Sequence, residues 1–180
     1  KLGLLGEAEL WARNSERLYL LCHMLNIEDL RKNPFASGHQ WWLFQDYWTG
    51  SNGIVDAYFR PKAEIPPERV RPFVGDVVLL LDGLPPVCRG GQALDLRLLA
   101  SNYSEQALGG GTFGVRASAR PSPIRPEGRT TTAIAENKGT AQEVKQGTVA
   151  SLADTPLKLA DAQAPQMLIV DAELTTGEAK

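Results

Sequence analysis

Apolar positions near the start of the chain recur at helical steps. Leu10, Leu18, Leu21 and Leu25 return at three- or four-residue intervals or their multiples, with Arg13, Glu16 and Arg17 between them. The spacing predicts helix over residues 5–32. Asn14-Ser15 offers a point where a second helix could be capped, and Asn26 a cap for a further short turn. Asn33-Pro34 closes the helical region, because proline pushes the preceding residue out of the α basin. From His39 the period changes to two. Residues 39–48 and 53–60 flank Ser51-Asn52-Gly53, and Asn-Gly predicts a tight hairpin turn with two positive φ angles. Further strands are expected over 70–81 (broken near Gly75-Asp76), 93–100 and 112–119, with Asp82-Gly83, Pro85-Pro86 and Gly90-Gly91 as punctuation.

The pattern then fades. Phe113 is the last aromatic residue, and from Gly114 onward there is no Trp, Tyr, Phe, His or Cys. Pro121, Pro123 and Pro126 favour extended backbone, and the stretch after them shows neither period. Between Arg120 and Ala164 six basic residues nearly balance five acidic ones, which is the composition of a linker or arm. Residues 167–174 could form one late strand. The fold class expected is therefore mainly β with an N-terminal helical segment (α+β), a small antiparallel sheet or sandwich, and an extended, irregular C-terminal arm. The expected organisation is a helix-plus-β domain over 1–119, an arm over 120–164 and a terminal strand within 165–180.

Seven of the thirteen aromatics lie between Trp41 and Phe59. In the predicted hairpin, alternation puts Trp42, Phe44, Trp48, Val55 and Phe59 on one face, the natural core face. Asp46 intrudes there and needs a partner. The other face carries His39, Trp41, Gln45, Tyr47, Asp56 and Tyr58. Flat rings mixed with hydrogen-bonding groups suit three roles: plain core under a second layer, a protein interface, or a sugar-binding surface. The binding residues expected are Trp41, Gln45, Tyr47, Asp56 and Tyr58.

Composition narrows the chemistry. The formal charge of −2 gives no general attraction to nucleic acid or acidic membranes. The apolar runs at 18–22 and 77–81 fall far short of the roughly 20 residues needed to span a bilayer. Cys22 and Cys88 suit buried thiols better than a disulfide. The chain opens on Lys1 without Met, as a processed product or a piece of a longer protein would, which leaves targeting signals open.

Gly109-Gly110-Gly111-Thr112-Phe113-Gly114 matches a dinucleotide fingerprint literally, but the residues that follow offer no helix to meet a pyrophosphate. Cys22, His23 and His39 lack metal-ligand spacing, and His23 reads as a core or boundary histidine. Adjacent helical residues point about 100° apart, so Cys22 and His23 do not make a nucleophile pair. Arg116, Arg120, Arg125 and Arg129 form a basic string without interleaved aromatics, which argues against base readout. Asn102-Tyr103-Ser104 is a glycosylation sequon. No cofactor, metal or catalytic motif is complete.

The expectation is a non-enzymatic structural or interaction subunit of a larger protein assembly, such as a virus or phage particle or a bacterial surface machine. Its partners would be other protein subunits bound through the arm, in a virion or extracellular setting. The first alternative is a carbohydrate-binding β-sandwich using the aromatic face, with glycan as partner. The second is a hydrolase drawing its acids from Asp46, Asp56 and Glu64.

Overall fold

The computed structural model describes residues 3–121, 132–161 and 166–176. The fold is α+β, with an N-terminal helix and mostly β content in two small antiparallel sheets. It divides into two compact units, Lys1–Gly75 and Asp76–Lys180, rather than at residue 119.

The first unit is built on helix α1, Ala8–Lys32, preceded by a 3-10 turn at Leu4–Glu7. Ala8–Lys32 holds neither Gly nor Pro, so nothing interrupts it at Asn14 or Asn26. It ends where Asn33-Pro34 requires, with Asn33 extended at ψ 112° and its side-chain oxygen accepting the Phe35 N–H. A second helix, α2, spans Pro67–Val74, where a strand was expected. Pro66-Pro67 followed by Glu68 is a helix start, with Pro at the first position and an acid in the first turn. Leu20 and Ile27 of α1 pack with Ile65 and with Phe73 of α2, and Trp41, Ile54 and Val70 close the cluster.

The predicted hairpin does not form. Residues 39–60 make a looped segment held by isolated bridges, among them Gln45 with Val55 in parallel and Tyr47 with Gly50. The chain reverses at 47–50, through Gly50 N–H to Tyr47 O at 2.9 Å, and not at Asn52-Gly53. Gly53 is needed for a different reason: a side chain there would overlap the Gln45–Asp46 backbone. The face assignment fails with the hairpin. Trp42, Phe44, Trp48 and Phe59 are exposed, whereas Trp41 turns into the core.

The second unit is two three-stranded sheets. One has the order β1-β2-β5, from Val77–Asp82, Ala93–Asn102 and Thr148–Lys158. The other has the order β4-β3-β6, from Thr132–Ala141, Gly111–Pro121 and Gln166–Thr176. Strict alternation along β2 buries Leu94, Leu96, Leu98 and Ala100. The three leucines meet Phe113, Val115 and Ala117 of β3 and Val170 of β6, so the inner faces of both sheets share a core.

Residues 120–164, expected to be an irregular arm, therefore carry β4 and β5, each paired along its length with a neighbour. Leu157 of β5 and the following Leu159 join Leu94 and Leu96 of β2 and Ala117 of β3 in one buried cluster. Pro156 is tolerated because β5 is an edge strand. The late strand is present as β6. The proline-rich stretch 122–131, with Arg125 and Arg129, lies outside the described residues. The glycine run enters β3 and not a helix, and Gly111 lies hard against the Thr175 carbonyl of β6.

Candidate functional site

The first unit contains a polar cleft of about 470 Å³, lined among others by Glu16 and Tyr19 of α1 and by Asp46, Ser51, Asp56 and Lys62 of the looped segment. Its volume lies in the range of small-molecule sites. The cleft exists because the loop folds back on α1. The Tyr19 hydroxyl donates to the Asn52 carbonyl and accepts the Trp41 indole N–H at 2.7 Å. Burial pushes the Tyr19 phenol upward, so it stays protonated as that donor.

Lys62 anchors the floor. Its ammonium bonds Asp46 Oδ1 at 2.8 Å and the Ser51 carbonyl at 2.9 Å, and Asp46 Oδ1 also accepts the Gly53 N–H at 2.7 Å. The partner that Asp46 required is thus Lys62. At the rim, Asp56 accepts the backbone N–H groups of Arg60 and Tyr58 and the Arg60 guanidinium at 2.7 Å. These contacts, the Arg60 backbone N–H foremost, hold its carboxyl below the usual range. Arg60 in turn lies 5.1 Å over the Tyr58 ring. The Arg60 guanidinium therefore links a fixed carboxylate to Tyr58, which is 78% exposed.

The five expected binding residues separate. Asp56 lines the cleft, and Tyr58 and Tyr47 are exposed on the same segment. Gln45 is half-buried in its bridge to Val55. Trp41 is removed from any binding face. It stacks on His23 with ring centroids 4.3 Å apart and packs toward Phe73. His23 is the boundary histidine the sequence suggested, and burial lowers its pKa. Glu16, Tyr19 and Lys62 were missed. They lie far from the aromatic cluster in sequence or outside its alternation, and only the fold-back of the loop unites them.

Of the three acids considered for hydrolysis, Asp56 and Glu64 are held charged. Glu64 takes Arg17 at 2.8 and 3.0 Å and Arg69 at 3.0 Å, and Arg17 foremost lowers its pKa. An acid catalyst needs the opposite shift. The sequon asparagine is also committed. Asn102 is fully buried, its amide donating to the Gln106 and Val144 carbonyls. Both cysteines are free thiols. Among the described residues, no group of three or more His, Cys, Asp or Glu side chains converges on a metal-sized site, and no helix is long and apolar enough to cross a membrane.

No protein-family model matches the chain, and no curated protein does. Among solved structures, the chain is similar to a beta-glucosidase from Listeria innocua in complex with gluconolactone, at 14% identity and a TM-score of 0.33, over 81% of this chain and 20% of that one. A second beta-glucosidase structure from Listeria innocua gives 13% and 0.32, over 80% and 20%. The chain thus spans about a fifth of that protein's length. A TM-score this low carries no argument about fold or activity.

Proposed function

We propose that the chain is a carbohydrate-binding protein and that the cleft of the first unit holds the sugar. One observation carries the reading: Asp56 lines a polar cleft and is joined through the Arg60 guanidinium to the exposed Tyr58 ring. A pyranose presents an apolar C–H face that stacks on such a ring, and equatorial hydroxyls that bond to carboxylates and amines. Asp56 is charged and already oriented, so it accepts hydroxyl donors without reorganising. The half-exposed Tyr47 offers a second ring on the same segment. The test is a titration with a broad glycan panel, followed by tryptophan fluorescence, because Trp42 and Trp48 are exposed on the same segment. Binding that Tyr58→Ala weakens about tenfold, the worth of one stacking contact, supports it. A flat response across the panel sinks it.

A second reading is a subunit of a larger protein assembly, of the virus, phage or bacterial-surface kind. The arm no longer supports it, but the exposed Trp42, Phe44, Trp48 and Phe59 do, since rings of this kind anchor protein interfaces. On this reading the chain isolated from its own source runs as a large complex, and Trp48→Ala releases it. Isolation as a free single protein removes the reading.

A further inference from the structure

The cleft of the first unit carries an unbalanced charge. Three carboxylates line it, Glu16, Asp46 and Asp56, against one ammonium, Lys62. Two of the three are answered, Asp46 by Lys62 at 2.8 Å and Asp56 by Arg60 at 2.7 Å. Glu16 is not. The arginines that flank it on α1 are engaged elsewhere, Arg13 with Glu9 and Arg17 with Glu64. Among the described residues Glu16 accepts one hydrogen bond, the Glu64 backbone N–H on Oε2 at 3.1 Å, and Oε1 accepts none. Glu16 is half-buried where α1 lines the cleft, so water screens its charge less than it would on an open surface.

Lys62 is a poor seat for an anion. Its side chain is 7% exposed, and two of its three N–H donors already go to Asp46 and the Ser51 carbonyl. Resting on the carbohydrate reading, we propose that the cleft selects a sugar with a free, protonated amine and that Glu16 is the residue that reads it. An ammonium brings the missing positive charge, and its N–H donors suit the open Oε1. N-acetylation removes that charge. A uronic acid instead sets a fourth carboxylate among three, and like charges in one site repel. The cleft therefore ranks its ligands by charge, with amino sugars first, neutral N-acetylated sugars next and acidic sugars last.

Calorimetric titration of the full 180-residue chain tests this at about pH 5.5, where an amine carries its proton. The probes are a glucosamine disaccharide, its N-acetylated counterpart and a disaccharide of glucuronic acid. The amine should bind about tenfold more tightly than the acetylated form, and the glucuronate most weakly. Glu16→Gln keeps an oxygen for the Glu64 N–H, so the chain should melt as before, and the amine's affinity should fall to that of the acetylated sugar. An acetylated sugar that binds as tightly as the amine, or a gap that survives Glu16→Gln, overturns this inference and leaves the carbohydrate reading standing. Absence of binding by all three probes overturns it too, and the broad glycan panel then decides the carbohydrate reading separately.

Discussion

Lys62 Nζ lies 2.8 Å from Asp46 Oδ1, with the two side chains only 7% and 14% exposed. The pair also gathers the Ser51 carbonyl and the Gly53 N–H, so one ammonium and one carboxylate pin residues 46–53 to the loop around Lys62. A buried pair adds little net stability over an apolar substitute, but removing one member leaves a stranded charge. Lys62→Met should therefore cost about 3 kcal/mol in chemical denaturation. It should also alter the tryptophan emission of the loop. A cost below about 1 kcal/mol would mean that the loop is held elsewhere.

Aromatic residues of one segment should respond oppositely to those of the next. Phe73 is 1% exposed at the centre of the first unit's core, and Phe73→Ala should cost about 3–5 kcal/mol. Phe59 is 63% exposed, with the Phe44 ring at 6.4 Å, and Phe59→Ala should cost less than about 1 kcal/mol. Paired urea titrations decide it. Equal costs would return Phe59 to a core.

That contrast shows what the sequence could and could not reveal. Strands β2 and β3 were legible because alternation places Leu94, Leu96 and Leu98, or Phe113 and Val115, on one face with nothing competing. Helix α1 was legible in extent but not in orientation. It carries two apolar faces, and the Leu10–Leu25 stripe that looked like core is the exposed one. The Asn-Gly signal misled because Gly53 serves close backbone contact with Gln45, a need indistinguishable from a turn by residue type. β4 and β5 were hidden by their Ala, Thr and Gly content. Gly139 shows why such residues fit: it faces Phe113 across the sheet, where a Cβ would come within 2.7 Å of the ring. For the site, Asp56 and Tyr58 were readable as chemistry, but the cleft depends on Tyr19 and Lys62, whose approach is tertiary.

Glu64 gives the first unit a pH dependence of known sign. Arg17 and Arg69 lower its pKa in the folded chain below the ordinary value of 4.5. The contribution is present above that unfolded value and lost as pH falls through the lower folded one. Unfolding monitored between about pH 5 and pH 2 should show stability dropping, and Glu64→Gln should flatten part of the slope. An identical slope in both chains would show that the two arginines do not bind Glu64 in solution.

Asn102 offers the sharpest separation of a hydrogen-bond role from mere burial. Its amide nitrogen faces two carbonyls, Gln106 O at 2.9 Å and Val144 O at 3.0 Å, while its oxygen accepts the Ser104 N–H at 3.0 Å and the Ser104 hydroxyl at 2.6 Å. A glycan on that buried nitrogen is incompatible with this turn. Asn102→Ala removes all four bonds and should cost about 2 kcal/mol. Asn102→Asp is nearly isosteric, yet at neutral pH it should cost more than the alanine, because it turns a negative oxygen toward two carbonyl oxygens. A carboxyl so placed has a raised folded pKa, so the penalty grows as pH climbs through the unfolded value of about 3.9. Below that value the protonated acid can donate one bond, and the aspartate variant should regain ground on the alanine. If the two variants keep a constant gap from about pH 3 to pH 7, Asn102 acts through its volume and not through its amide.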